Sequence, residues 1–283
     1  MIFSTLLYER ADRIARITLN RPGRLNAINR EMPSELRAAT HRAAQDDDVH
    51  VIILSGAGRA FCAGYDLQLF AETAGPNAGS QPMPWDPMID FRHMGDDTDC
   101  FLSLWRCPKP VICKIQGYAV AGGSNIALCA DIIIMAEDAK IGYPPARVWG
   151  CPTPMMWMYR VGAERAKRLL FTGDLIDGKE AARIGLVSEA VPAAELDNAV
   201  ERLAQRMAGV PRNQLMMHKM IVNQAYENMG MMATQMFATL FDGIARHTPE
   251  GVAFKRRCEE AGFKQAVQER DSGAPIRASS ESK

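Results

Sequence analysis

The sequence predicts an α/β protein, a sheet covered by helices and then a helical C-terminal region. Three observations predict it. A strand, a helix and a second strand follow one another between residues 14 and 54. Two apolar strands, Val49–Leu54 and Val111–Ile115, each run straight into a turn of small residues. From Glu195 onward the chain is almost entirely helix-compatible.

The elements follow in order. A short strand lies near Leu6–Glu9, and Ile14–Leu19 alternates polar and apolar as a half-buried strand does. Asn20-Arg21-Pro22-Gly23 breaks it. Met32, Leu36, Ala39 and Ala43 recur at helical spacing, and Asp46-Asp47-Asp48 ends that helix. Val49–Leu54 is apolar apart from His50, the pattern of a strand covered on both faces. A helix is predicted from Gly122 to Ala130 and a strand over Asp131–Ala136. Short helices follow at Ala163–Leu170 and Gly178–Arg183, then a strand-like Leu186-Val187. Between them, Glu72 to Thr98 holds Pro76, Pro82, Pro84, Pro87, Gly75, Gly79 and Gly95, and reads as a long functional or disordered loop. The methionines of the tail, at positions 207, 216, 217, 220, 229, 231, 232 and 236, are soft fillers of helix packing or of a subunit contact. The expected division is a core over residues 1–200 and a helical region over 201–283, frayed from Ser272.

Composition narrows the function. The 283 residues suffice for one large core or two modest ones, since single cores stop growing near ~250–300 residues. With 33 basic and 33 acidic residues there is no net field to steer nucleic acid or an anionic membrane. No apolar run reaches the ~18 residues of a membrane span, and no signal peptide is expected at the start. Seven cysteines, none spaced as CxxC, indicate neither a zinc knuckle nor a disulfide framework, so no metal is expected and a reducing, cytoplasmic setting fits.

The chemistry sits in the two turns. Ser55-Gly56-Ala57-Gly58-Arg59-Ala60-Phe61-Cys62-Ala63-Gly64-Tyr65-Asp66-Leu67 follows the first strand, and Gln116-Gly117-Tyr118-Ala119-Val120-Ala121-Gly122-Gly123-Ser124 the second. Small residues let a backbone approach a ligand, and N–H groups at a helix start lack intrahelical partners. Two such groups converging from different strands would stabilise an oxygen that gains negative charge. The plainer reading, glycines that only permit tight turns, remains open on spacing alone. GxGxxG and the GxxxxGK[ST] loop are absent.

These turns, with Arg21-Pro22-Gly23-Arg24-Leu25-Asn26-Ala27, Lys109-Pro110-Val111, Phe171-Thr172-Gly173 and Ala181–Val187, resemble the enoyl-CoA hydratase/isomerase, or crotonase, superfamily over about residues 5 to 190, and Pro249-Glu250-Gly251 extends the match. The resemblance implies repeated ββα units forming a spiral core, with C-terminal helices that build a homo-trimer or hexamer. It implies an acyl-CoA substrate and no cofactor beyond the coenzyme A of the thioester. The oxyanion donors carried over are the backbone N–H groups of Tyr65 and Gly122. Arg24, Leu25 and Ala27, with Ala63, Asp66 and Leu67, would line the CoA nucleotide. Lys255, Arg256 and Arg257 are loose candidates for a basic side chain lent to a neighbouring subunit.

The acid–base pair does not carry over. The family's two glutamates fall on Asn125 and Pro145, neither of which moves a proton. Nearby candidates to replace it are Arg147 as a grip on a substrate carboxylate, Cys151 as a nucleophile, and Glu72, Asp86, Asp90 or His93 from the Pro-rich loop. Histidine is a common general base near neutral pH, which makes His93 a candidate, and Tyr65 and Tyr143 carry hydroxyl donors. The leading expectation is an enoyl-CoA hydratase-like enzyme with atypical acid–base residues. The alternatives are decarboxylation, C–C hydrolysis or thioester hydrolysis through the same oxyanion, and a non-catalytic acyl-CoA binder.

Overall fold

The computed structural model describes residues 2–75 and 81–273. Strands β1 (Leu6–Ala11) and β2 (Ile14–Leu19) form a hairpin, closed by Asp12 and Arg13 at φ 49° and 65°. Two residues at positive φ match the twist of the paired strands. Helix α1 (Met32–Gln45) buries Met32, Leu36, Ala39 and Ala43, the predicted stripe, and leads into β3 (Val51–Gly56). Helix α2 (Pro87–Arg106) precedes β4 (Val111–Ile115), β5 (Tyr118–Val120) and α3 (Gly122–Leu128). Then come β6 (Ile132–Ala136), β7 (Lys140–Gly142), α4 (Met156–Thr172), β8 (Leu175–Asp177), α5 (Gly178–Arg183) and β9 (Glu189–Val191). The tail is α6 (Leu196–Ala208), α7 (Arg212–Asn228), α8 (Met231–His247), α9 (Pro249–Ala261) and α10 (Phe263–Asp271).

The main sheet has the order β1-β2-β3-β4-β6-β9, with every pair after the hairpin parallel. A parallel sheet is covered on both faces, which accounts for the unbroken apolar runs of β3 and β6. Leu196, Ala199, Val200, Ala204 and Ala208 give α6 the stripe that lies on β2, β3, β4 and β6. Beside it stands a small sheet, β5-β7-β8, in which β5 and β7 are parallel and β8 is antiparallel.

Two buried lysines join the layers. Lys109, 2% exposed, donates to the Ala43 carbonyl at 2.8 Å and to that of Asp46, satisfying the last turn of α1 with a cation. Lys219 on α7 donates to Asp131 Oδ2 at 2.7 Å and to the carbonyls of Leu104 and Lys109. The same Asp131 oxygen accepts the Val111 N–H at 2.7 Å, so one carboxylate ties α7 to the sheet.

Three expectations are corrected. The segment Glu72–Thr98 is not one long loop, because α2 begins at Pro87 with Asp86 as its cap, accepting from Met88 N at 2.9 Å. Pro87 sits in the first turn, where it costs no hydrogen bond, and Gly95 is tolerated within a 20-residue helix. Pro76 and Gly79 lie outside the described residues, as does the tail beyond Gly273. The last strand starts at Glu189, while Leu186 and Val187 fill the core as a turn. The three-residue strands β5, β7 and β8 carry too little pattern to be anticipated. Helix α4 starts at Met156, and non-helical Gly162 (φ 76°) divides it where the shorter helix was expected to begin.

Candidate active site

A cavity of about 380 Å³ opens between the two turns and the helices α2, α8 and α10. Its first wall is backbone. The stretch 25–28 lies along 63–66, with Ala63 N donating to Leu25 O at 3.0 Å, Ile28 N to Gly64 O at 2.8 Å and Asp66 N to Ile28 O at 2.9 Å. Asn26 holds this arrangement from within, accepting from Arg21 N and donating to the carbonyls of Ala57 and Ala60 at 2.9 Å. Leu25, Ala63 and Leu67 line the cavity. Ala27 receives the Arg21 guanidinium on its carbonyl. Asp66 pairs with Arg21 at 3.1 Å and so braces the turn, while Arg24 lies exposed with a 2.6 Å bond to Gln68.

The two turns touch. A Cβ on Gly64 (φ +96°) would stand 2.9 Å from the Val120 carbonyl and from Ala121 Cβ. A Cβ on Gly122 would stand 2.7 Å from Ile28 Cδ1 and 2.9 Å from the Tyr65 ring. Only glycine allows this approach. Ala121 itself sits at φ 53°, a strained conformation that starts α3 at Gly122. Among the described residues, neither the Tyr65 N–H nor the Gly122 N–H has a backbone or side-chain acceptor. Both residues line the cavity.

The second wall is made of side chains. Asn125, 5% exposed, and Pro145 both line the cavity, so the two positions of the missing glutamates face the same space without a carboxylate. Tyr143 lines it too, donating its hydroxyl to the Cys151 carbonyl at 2.8 Å. His93 reaches the cavity from α2 rather than from a loop. Arg147 is not brought there: Nε donates to Thr172 O at 2.7 Å, and the two terminal nitrogens pair with Asp271 at 3.0 Å and Asp174 at 3.2 Å. A guanidinium with those partners latches α10 to the end of α4 and is not free to grip a substrate carboxylate. Burial, and then Asp242, push the Cys151 thiol up to about 11, which disfavours the thiolate a nucleophile needs.

Asp97, Asp242 and Arg246 are among the ionisable residues here that the sequence did not single out. Asp97 on α2 accepts the Tyr65 hydroxyl at 2.9 Å. Asp242 on α8 accepts Cys151 N–H on Oδ1 at 2.9 Å and Arg246 on Oδ2 at 2.5 Å. Burial raises the carboxyl pKa of both Asp97 and Asp242, against the opposing pull of their partners. Asp242 and Arg246 stand four apart, the spacing of a common exposed helix pair. Only their burial marks them, and that is invisible in the sequence.

The C-terminal helices complete the enclosure. Lys255 donates to Thr73 O at 2.8 Å, and Glu72 accepts Phe263 N at 3.2 Å, pinning α9 and α10 to the segment after the first turn. Phe263, Val267, Arg270 and Asp271 of α10 line the cavity. Lys255 pairs with Glu259 and Arg257 with Glu269 within the same chain, and Arg256 lies 3.9 Å from Glu260.

Comparison with known proteins gives concordant results. The family model described as enoyl-CoA hydratase/isomerase matches residues 9–259. A probable mitochondrial enoyl-CoA hydratase of Dictyostelium discoideum is 31% identical over 230 residues, 80% of this chain and 77% of that protein. The crystal structure of an enoyl-CoA hydratase from Mycobacterium smegmatis is similar with a TM-score of 0.89 and 51% identity, covering 95% of this chain and 94% of the other. An enoyl-CoA hydratase/isomerase from Xanthobacter autotrophicus Py2 has a TM-score of 0.87 at 31% identity, over 97% and 100% of the two chains.

Proposed function

The chain belongs to the enoyl-CoA hydratase/isomerase family, and from that premise we propose that it adds water to, or removes it from, an acyl-CoA thioester whose carbonyl oxygen is held by the N–H groups of Tyr65 and Gly122. One observation carries the reading: two backbone donors without acceptors, from turns in direct contact, at the wall of one cavity. Such donors favour the charged oxygen of an enolate over the neutral carbonyl, and so act on the barrier more than on binding. Arg24, Leu25, Ala27, Ala63, Asp66 and Leu67 form the edge along which the CoA moiety lies. The rest of the lining is largely apolar, with Phe70, Met94, Val120, Trp149 and Phe263 suited to an acyl group. Decarboxylation rested on Arg147 as a grip, and that residue is engaged elsewhere.

The working form is a homo-trimer or a dimer of trimers built on α7 and α8, in the cytoplasm. Met217, Ile221, Met232, Met236, Phe237 and Phe241 are all half or more exposed on these helices, Met232 at 69%. Apolar surface of that extent marks an interface. No helix among the described residues is long and apolar enough to cross a membrane.

Mass spectrometry on a panel of enoyl-, hydroxyacyl-, β-ketoacyl-, malonyl-type and cyclic acyl-CoA thioesters tests the reaction. Gain or loss of one water is the expected result. Thermal stabilisation by a thioester with no change of mass would make the protein a binder, because binding to the folded state alone raises its melting temperature. Carbon dioxide loss or free CoA would replace hydration by the corresponding reaction.

A further inference from the structure

The cavity retains an oxyanion hole and lacks both family glutamates, which leaves the proton transfer without an owner. The position of Gly150 points to one. A Cβ placed there would stand 3.1 Å from Asp242 Oδ1, 3.1 Å from the Tyr143 hydroxyl and 3.3 Å from Pro145 Cβ. The carboxylate of Asp242 thus reaches, from α8, the immediate neighbourhood of the side chain at 145. Asp242 is 3% exposed and lines the same cavity as Tyr65, Gly122 and Asn125. We propose that Asp242 is the proton-transfer residue of this enzyme, a carboxylate brought in by α8 to the place that Pro145 leaves without one. The assignment rests on the hydratase reading above.

The environment fits the task. Each carboxylate oxygen uses one lone pair on a fixed donor, Cys151 N–H for Oδ1 and Arg246 for Oδ2, which orients the group and leaves acceptor capacity for a water. In hydration, Asp242 takes a proton from the water as its oxygen bonds to C3. The C2=C3 electron pair moves toward C1, and the charge settles on the thioester oxygen between the N–H groups of Tyr65 and Gly122. The protonated carboxyl then returns that proton to C2 as the enolate collapses. One water is added, and no oxidant or reductant enters. Five ionisable groups face Asp242: Arg246 on its own helix, Asp90 from α2, Tyr65 from the first turn, and Tyr143 and Cys151 from the segment between β7 and α4. Burial raises its pKa from the ordinary carboxylate value, and Arg246 opposes that rise.

The test begins with a thioester that the wild-type protein hydrates or dehydrates. Asp242→Asn should lower kcat by about 10²–10⁴-fold with little change in KM, and abolish the acid limb of the pH–kcat profile. Asp242→Glu should recover part of the rate. Arg246→Gln should move the acid limb to higher pH, since it removes the cation that favours the ionised carboxylate; a purely structural pair would leave that limb in place. If Asp242→Asn alone fails to fold, Asp242→Asn with Arg246→Gln removes both charges together and should show the same loss. A folded variant lacking the carboxylate that keeps kcat within about tenfold and retains the wild-type acid limb would overturn the assignment while leaving the function intact. A wild-type protein that converts no member of the panel would instead overturn the function, and the assignment with it.

Discussion

On its sheet side the cavity presents backbone, and on its helix side it presents side chains. The sheet side is built from contiguous stretches, 25–28, 63–66 and 121–125, whose geometry is set by glycine, by left-handed turns and by one buried asparagine. The helix side gathers His93, Asp242, Arg246 and Phe263 from three helices, separated by up to 170 residues in the chain. The first wall offers main-chain groups that cannot rearrange. The second places groups that titrate, and each depends on the packing of a whole helix. Under the proposed function, the first wall would keep the oxyanion donors while the second exchanges acids and bases.

The sharpest way to break this comparison is at the backbone wall. Gly122→Pro removes one donor and should lower kcat by about 10²–10³-fold. Near-UV circular dichroism must confirm the fold, because any Cβ there meets Ile28 and Tyr65. A folded variant with wild-type turnover would remove Gly122 from the hole.

Next in size is Tyr65→Phe, which keeps the backbone donor and deletes the hydroxyl that Asp97 accepts. A buried acceptor left without its partner costs about 1–3 kcal/mol, read from urea unfolding. Turnover should fall far less than in Gly122→Pro, since the donor at 65 is main chain. An equal loss of activity would mean that the two walls act as one.

The pH dependence separates the walls further. Burial raises the pKa of Asp97 in the folded protein. A carboxyl raised on folding contributes stability that is fully present below its unfolded value and is lost as pH rises through the folded one. Asp97→Asn should therefore raise the melting temperature relative to wild type at neutral pH, and the difference should shrink on acidification. A difference that grows toward acid would reverse the sign and show that the ionised form is the stabilised one.

The smallest effect is expected at the latch. Arg147→Ala releases Asp271 of α10 and Asp174, pairs that are partly exposed and worth about 0–1 kcal/mol each. KM should rise by a few-fold with kcat nearly unchanged. A fall in kcat at constant KM would return Arg147 to the chemistry.

Much of the backbone wall was legible in the residues. The helix from Met32 follows from periodicity, the strand Val111–Ile115 from its apolar run and the two small-residue turns from their place after apolar strands, while Tyr65 and Gly122 within those turns came from the family resemblance. The losses at 125 and 145 came from the family resemblance, which marks those positions, and from the chemistry of Asn and Pro, neither of which moves a proton. Asp86-Pro87 was the available sign of α2, a cap followed by a first-turn proline, but the surrounding prolines and glycines masked it. His93 was found as a residue and misplaced as an element for that reason.

By itself, then, the sequence determined the α/β class and the two turns of small residues, and its resemblance to the family marked 125 and 145 as positions without the usual carboxylates. The class and the turns depend on residues adjacent in the chain, where φ/ψ limits and hydrophobic period act directly. Only the tertiary structure decided that Arg147 serves α10 and that Asp97 meets the Tyr65 hydroxyl. It alone brings Asp242 beside Pro145, 97 positions away in the chain. A charged residue on a helix looks the same in sequence whether its helix turns it to water or to the core, and long-range packing makes that choice.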